Sequence, residues 1–555
     1  MSREVSASPR FFRAGFHSRV STTTLRAAAL FVALQGAAHA APEPLQVLIV
    51  GGGPNPNSNQ AAIESNVRYV SKLLPTQNTS TTLFADGNKE SATVIYQPEG
   101  PKKSNDEVLL DALLQTPGQG RGRGGGRPPG AIRPAPPAGF GGQTAVPATM
   151  AGAPTQPQPA AAAVPRSVGN FKVPGITQLD GPSKSDAIES AFTGLSGKPV
   201  SKIPTFLYFT GHGSKTADNL ENNYYNLWDG GKFTVQDLSR QVARLPEKEP
   251  VVLVMVQCFS GSFGNILFEG GDPKAAPIDR DIVGFFASTK DRVAAGCTPA
   301  VNEDYYYDFT SYFFSALTGR DRLDRKAAPD ADFNRDGKVG LDEAFYWSVI
   351  NDNSIDVPVA TSDVFLERFS PTEGESWTET PYKSLLKWAS PAQRASLEGL
   401  SKALGLTSEV RIQEAQKIDL AARRKESADA LRVANERLQP LKESGQKSYL
   451  EAFPDLASRE PAARTEARRL AVARLSNEAA AGQWTAFQEA LKERNTVQSR
   501  GSEIGVIEAK QLRFLRLTQK IVRDHNLRTS NDGALKKRYF KLLASEAKTL
   551  LPYHG

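Results

Sequence analysis

A nucleophile, a base and a backbone donor for an oxyanion stand at suggestive places in this chain. Cys258 lies in "VVLVMVQCFSGSFG", residues 251 to 264, where an apolar run stops and a Ser/Gly turn begins. A thiol used only for packing has no need of such an exit. His212 lies in "TFLYFTGHGS" between Gly211 and Gly213, whose missing side chains let backbone approach a bound group. The other histidines, His17, His39, His525 and His554, fall outside the strand-rich part of the sequence. Thiol-based acyl transfer needs a thiolate, an imidazole that takes and returns a proton, and N–H donors for the oxyanion. The expected roles are Cys258 as nucleophile, His212 as base and then acid, and the N–H groups of Gly213 and Cys258 as oxyanion donors.

Those residues need elements to hold them. "PLQVLIVGGGPNPNSNQ" from Pro44, "TTLFADG", "TFLYFTGHGS", "VVLVMVQCFSGS" and "DIVGFFAST" are apolar runs that end in turns. "AIESNVRYVSKLL", "SNDEVLLDALLQ", "SDAIESAF" and "TVQDLSRQVARL" between them have helical spacing. Short apolar runs separated by helices predict an α/β fold with a mostly parallel sheet covered on both faces. In such sheets, sites form beyond the carboxyl ends of strands. The 46 residues from His212 to Cys258 make one strand, helix, strand unit, so parallel neighbours bring both turns to one sheet edge.

"YFTGHGS" followed by "VMVQCFSGSF" resembles the legumain-like and caspase-like cysteine peptidases, in which one strand ends in His-Gly and a later one ends in Cys before a Ser-Gly pair. The legumain pattern fits better: Phe259, Ser260, Gly261 and Ser262 follow Cys258, and Gln257 is adjacent to the thiol instead of two places before it. The resemblance extends more weakly over about residues 44 to 350. It implies a caspase-like fold, peptide-bond hydrolysis through a Cys258 thioester, and a pocket strand at "IVGFFAST". No residue of the sequence is assigned as the third catalytic member or as the determinant of that pocket. In the family a helical segment often follows the catalytic domain and covers the site before activation.

The remaining chain sets the context. Four arginines, Arg10, Arg13, Arg19 and Arg26, precede "AAALFVAL", and "AHA" offers a cleavage point after Ala40, so residues 1–40 read as an export signal. A periplasmic or secreted protein is the expectation, without a membrane span, because no later run reaches the roughly 18 apolar residues needed. Net charge is +7 from 67 Lys and Arg against 60 Asp and Glu, a mixed surface that gives nucleic-acid binding little support. A caspase-like domain is expected over 41–385. Within it, 117–170 ("GQGRGRGGGRPPG", "TQPQPAAAAVP") has no apolar period and reads as a disordered insertion. Residues 390–555 are rich in Ala, Glu, Lys, Arg and Leu with three- and four-residue apolar spacing, which predicts a separate α-helical region able to dock a partner protein.

A second constellation is "DFNRDGKVGLDE". Asp332, Asn334 and Asp336 occupy positions 1, 3 and 5 of a calcium loop, Gly337 position 6, Lys338 offers its carbonyl at 7, and Glu343 stands at 12. A structural Ca2+ ion is the cofactor this implies, with an acidic turn that binds nothing as the alternative. Cys297 in "RVAAGCTPA" reads as a packing residue, with a free thiol near the site or a disulfide to Cys258 as alternatives. "GGGPNP" lacks the third glycine of a dinucleotide loop, and "SGSFG" lacks the nearby later histidine a Ser262 hydrolase needs. The expectation is a cysteine endopeptidase acting on a protein or peptide. A catalytically silent scaffold of the same fold, using its helical tail for protein interaction, is the alternative.

Overall fold

A computed structural model of the chain describes residues 45–74, 79–100, 103–114, 170–197, 204–327, 329–371, 373–458, 460–552 and 554. The export signal at 1–40 and all but Asn170 of the insertion at 117–170 lie outside the described residues.

The apolar runs form one six-stranded sheet. Strands β1 (Gln46–Gly52), β2 (Thr79–Phe84), β3 (Thr205–Gly211), β4 (Val251–Met255) and β5 (Ile282–Phe286) are parallel, and the short β6 (Val359–Ala360) pairs antiparallel with β5. The order is β6-β5-β4-β3-β1-β2. Every residue of β1, β3, β4 and β5 is buried, as a sheet covered on both faces requires. Along β3 the alternation is explicit. Phe206 and Tyr208 meet Phe314 edge-on across one face, while Phe209 packs on Tyr225 and Phe233 across the other.

Helices flank this sheet: α1 (Ala61–Leu73), α2 (Asn105–Leu114), α3 (Ser185–Ser196), α4 (Val235–Ala243), α5 (Phe309–Thr318), α6 (Leu341–Asn351) and α7 (Thr361–Phe369). Helix α4 starts where Thr234 and Asp237 form a reciprocal capping box. A C-terminal helical region follows as α8 (Tyr382–Trp388), α9 (Pro391–Leu404), α10 (Arg411–Gln416), α11 (Leu420–Ala452), α12 (Pro461–Ala480), α13 (Thr485–Thr529) and α14 (Gly533–Glu546).

This region divides between two cores. Phe514, Leu517, Ile521 and Val522 of α13, with Tyr539 and Leu542 of α14, belong to the same buried cluster as the sheet. Tyr449 of α11, Leu475 of α12 and Phe487 of α13 form a second cluster that captures Leu109, Leu110 and Leu113 of α2. Among the described residues no helix is long and apolar enough to cross a membrane.

Candidate active site

Strands β3 and β4 run side by side in register from Thr205↔Val251 to Phe209↔Met255, and the Val256 N–H continues the ladder to the Phe209 carbonyl at 3.0 Å. Their carboxyl ends therefore leave the sheet together. A Cβ on Gly213 would collide with the Cys258 carbonyl oxygen, and one on Gly211 with the Gly52 carbonyl oxygen and the Tyr225 hydroxyl. Glycine at 213 lets the His212 turn press on the Cys258 turn, and glycine at 211 lets it close on Gly52 and Tyr225. Phe259, next to the thiol, is held at a φ of 62°, a left-handed conformation costing about 1–2 kcal/mol for a residue with a Cβ. Its N–H donates to the Arg292 carbonyl at 2.8 Å, which fixes the strained turn from outside. A buried 3-10 segment, Ser260–Leu267, then carries the chain away.

The His212 ring is oriented by the loop that follows β1. Nε2 lies 2.8 Å from the Ser58 carbonyl oxygen and 2.9 Å from Gln60 Oε1. A backbone carbonyl only accepts, so the proton is on Nε2 and Nδ1 keeps its lone pair. Burial lowers the imidazole pKa from its ordinary value, and the bond to Ser58 partly opposes that. The ring is therefore a neutral base. Nδ1 faces Cys297 Sγ at 3.7 Å; among the described residues no hydrogen bond joins His212 to Cys258.

Cys258 is half-buried and unpaired, as is the exposed Cys297. The Ala294 N–H donates to Cys258 Sγ at 3.2 Å, the kind of contact that stabilises a thiolate. Burial outweighs it and, helped by the nearby Cys297 sulfur, pushes the Cys258 thiol up to about 12. Cys297 keeps surface open to solvent, yet crowding around its sulfur and the Asp308 and Asp356 carboxylates also push its thiol up to about 12. Both sulfurs rest as thiols at neutral pH. Cys297, expected as packing, instead stands beside the imidazole and lines a small recess together with Asn66, Thr210, Gly211, Val256 and Asp308.

The recess has an ordered polar floor. Asp308 accepts from Asn66 Nδ2 at 3.1 Å and from the Ser311 N–H and hydroxyl at 2.8 and 2.6 Å, and pairs with the buried Arg322 at 3.6 Å. The Arg322 guanidinium lies 5.0 Å from the ring centres of both Tyr69 and Tyr306. Asp356 accepts from the Ala295 N–H at 2.6 Å and from the Phe309 N–H at 3.0 Å.

The residues around His212 and Cys258 include several that sequence reading missed. Ser58 and Gln60 carried no motif, although their place after β1, at the carboxyl edge of the sheet, is a signal in itself. Asp356 sits before β6 with no pattern to mark it.

The acidic loop at 332–343 is folded around its own carboxylates. Asp332 accepts from the Asp336 and Gly337 N–H groups at 3.1 and 2.9 Å, Asn334 from Asp336 at 2.8 Å, and Asp336 from Lys338 at 2.9 Å. Gly337 has a φ of 82°, as the sixth position requires. Glu343 accepts from Asn334 and Gly340 at 2.9 and 3.0 Å, and burial, then the Asp332 and Asp336 charges, raise its pKa. Repulsion among these carboxylates is what a cation would relieve. Among the described residues no group of three or more His, Cys, Asp or Glu side chains converges at metal-binding distance.

Compared with known protein families and with curated proteins, the chain matches none.

Proposed function

We propose that this protein is a cysteine endopeptidase with a caspase-like fold, acting on a protein or peptide through Cys258 and His212. The observation that carries the reading is the contact of the Gly213 turn with the Cys258 turn at the carboxyl edge of two adjacent parallel strands, beside a neutral imidazole. With the thiol protonated at rest, catalysis proceeds by general base and not from a preformed ion pair. His212 Nδ1 turns from Cys297 to Cys258 and takes the thiol proton as Sγ attacks the scissile carbonyl carbon. The Gly213 and Cys258 N–H groups receive the oxyanion. Collapse of the tetrahedral intermediate breaks the C–N bond, His212 returns the proton to the leaving amine, and a thioester remains. Water, deprotonated by the same imidazole, then hydrolyses it and restores the thiol.

Export to the periplasm or beyond fits the leader sequence. The Asp332, Asn334, Asp336, Lys338 carbonyl and Glu343 set would hold a structural Ca2+ that neutralises its crowded carboxylates.

A second reading is favoured by the same pKa and by the imidazole facing Cys297: a catalytically silent caspase-fold scaffold whose helical region docks a protein. Peptidyl acyloxymethyl ketones with varied first residues, applied under reductant with calcium and mapped by mass spectrometry, separate the two. An adduct on Cys258 that is lost in His212→Ala establishes the peptidase; no adduct from any probe leaves the scaffold.

A further inference from the structure

We propose that Asp356 is a positioning residue through which the C-terminal helix α13, acting by Arg513, holds the 294–297 segment against Cys258. The inference takes its consequence for catalysis from the cysteine-peptidase reading, but its geometry stands independently.

Arg513 is a buried guanidinium on α13 that spends its donors on one loop. Nε donates to the Asp356 carbonyl at 2.7 Å, Nη1 to the Asp352 carbonyl at 2.5 Å, and Nη2 to the Ser354 carbonyl at 3.2 Å. The Asp352 carboxylate, also buried, is 3.4 Å away. These bonds cap α6 and fix the loop from Asn351 to β6. Arginine's planar fork suits such multi-carbonyl binding, whereas a lysine ammonium cannot span it.

The loop carries Asp356, which has no solvent exposure. Its two carboxylate oxygens reach different segments: Oδ1 the Ala295 N–H, Oδ2 the Phe309 N–H. Residue 294, one peptide before, gives its N–H to Cys258 Sγ. Residues 289–297 include no strand or helix, so no ladder places them. A carboxylate with no solvent exposure is costly to bury, and here it fixes the segment that contacts the thiol. The tail is on this view a working part of the site, not a cover to be shed.

The test uses the full chain, with Asp356→Asn, Arg513→Met, Arg513→Lys, and Arg437→Ala as a control in an exposed tail ion pair. Amide hydrogen exchange is measured over the chain, and ketone labelling of Cys258 is resolved into maximal rate and half-saturating concentration. Expected are faster exchange confined to 289–297, 349–356 and the Phe309 amide that Asp356 also holds, and a maximal rate lower by roughly tenfold to hundredfold with unchanged half-saturation, in Asp356→Asn and Arg513→Met. Arg513→Lys should recover part of both, and Arg437→Ala should match wild type. Unchanged exchange at 289–297, or exchange raised evenly over the whole chain, overturns the proposal. If one variant fails to fold, the others still decide. A wild-type chain that takes no ketone would sink the peptidase reading, while the exchange pattern alone still decides the brace.

Discussion

His212 directs its unprotonated Nδ1 at Cys297 Sγ, 3.7 Å away, and its Nε2–H at the Ser58 carbonyl, 2.8 Å away. In the proposed mechanism Cys258 must therefore take the place that Cys297 holds at the imidazole. Cys297→Ser should leave ketone labelling of Cys258 at or above the wild-type rate, because it removes the sulfur that holds that place and raises the Cys258 pKa. Labelling lost in Cys297→Ser and retained in Cys258→Ser would exchange the roles of the two cysteines.

Gln60 shares the Nε2–H of His212 with Ser58. Replacing it with Leu leaves the carbonyl in place and removes one orienting bond, worth about 0.5–1.5 kcal/mol, so the labelling rate should fall by about two- to tenfold with the melting temperature nearly unchanged.

The burial that lowers the His212 pKa has a signed consequence for stability. Below about pH 6.5 an unfolded histidine binds a proton. The folded ring still resists protonation there, so the unfolded state holds more protons and stability falls as pH drops through that window. His212→Gln should flatten this acid limb in urea titrations from pH 7 to 5 and leave stability at pH 8 least affected. A wild-type limb unchanged by the substitution would show that other groups produce it.

Calcium should stabilise the fold. At a hundredfold excess over its dissociation constant a ligand specific to the native state adds about 2.7 kcal/mol. Melting temperature should rise with added Ca2+ and not in Glu343→Gln, which removes the twelfth-position carboxylate. A shift that persists in Glu343→Gln would place the ion elsewhere.

The α13 side chains in the sheet's core make the tail part of the folding unit. Phe514 is fully buried. Phe514→Ala should cost about 3–5 kcal/mol in urea unfolding, and Leu470→Ala, at an exposed position of α12, within about 0.5 kcal/mol. Equal effects would mean that α13 does not share the core.

Much of the architecture is legible in the sequence because it follows from local rules. "FLYF" and "VVLVM" are unbroken runs of large hydrophobic residues, which identifies strands buried on both faces, and the helical stretch between them requires a parallel pair. From that alone the turns at His212 and Cys258 fall on one edge of a sheet. The glycines on either side of His212 are readable as places where backbone can come close to another group, while the contact of Gly213 with the Cys258 turn is seen only in the fold.

Tertiary structure decided what depends on distant segments meeting. The spacing of "NDEVLLDALL" shows a helix, yet its leucines pack against Tyr449 and Leu475, more than three hundred residues away in sequence, and not against the sheet. No periodicity encodes the choice of partner for an apolar face. The orientation of the imidazole likewise rests on Ser58 and Gln60, the crowding of the two thiols on a loop without regular structure, and the anchoring of that loop on Asp356 and Arg513. Hydrogen bonds and desolvation act through space, so residue type and spacing proposed the groups at the site while the packed chain determined which of them touch.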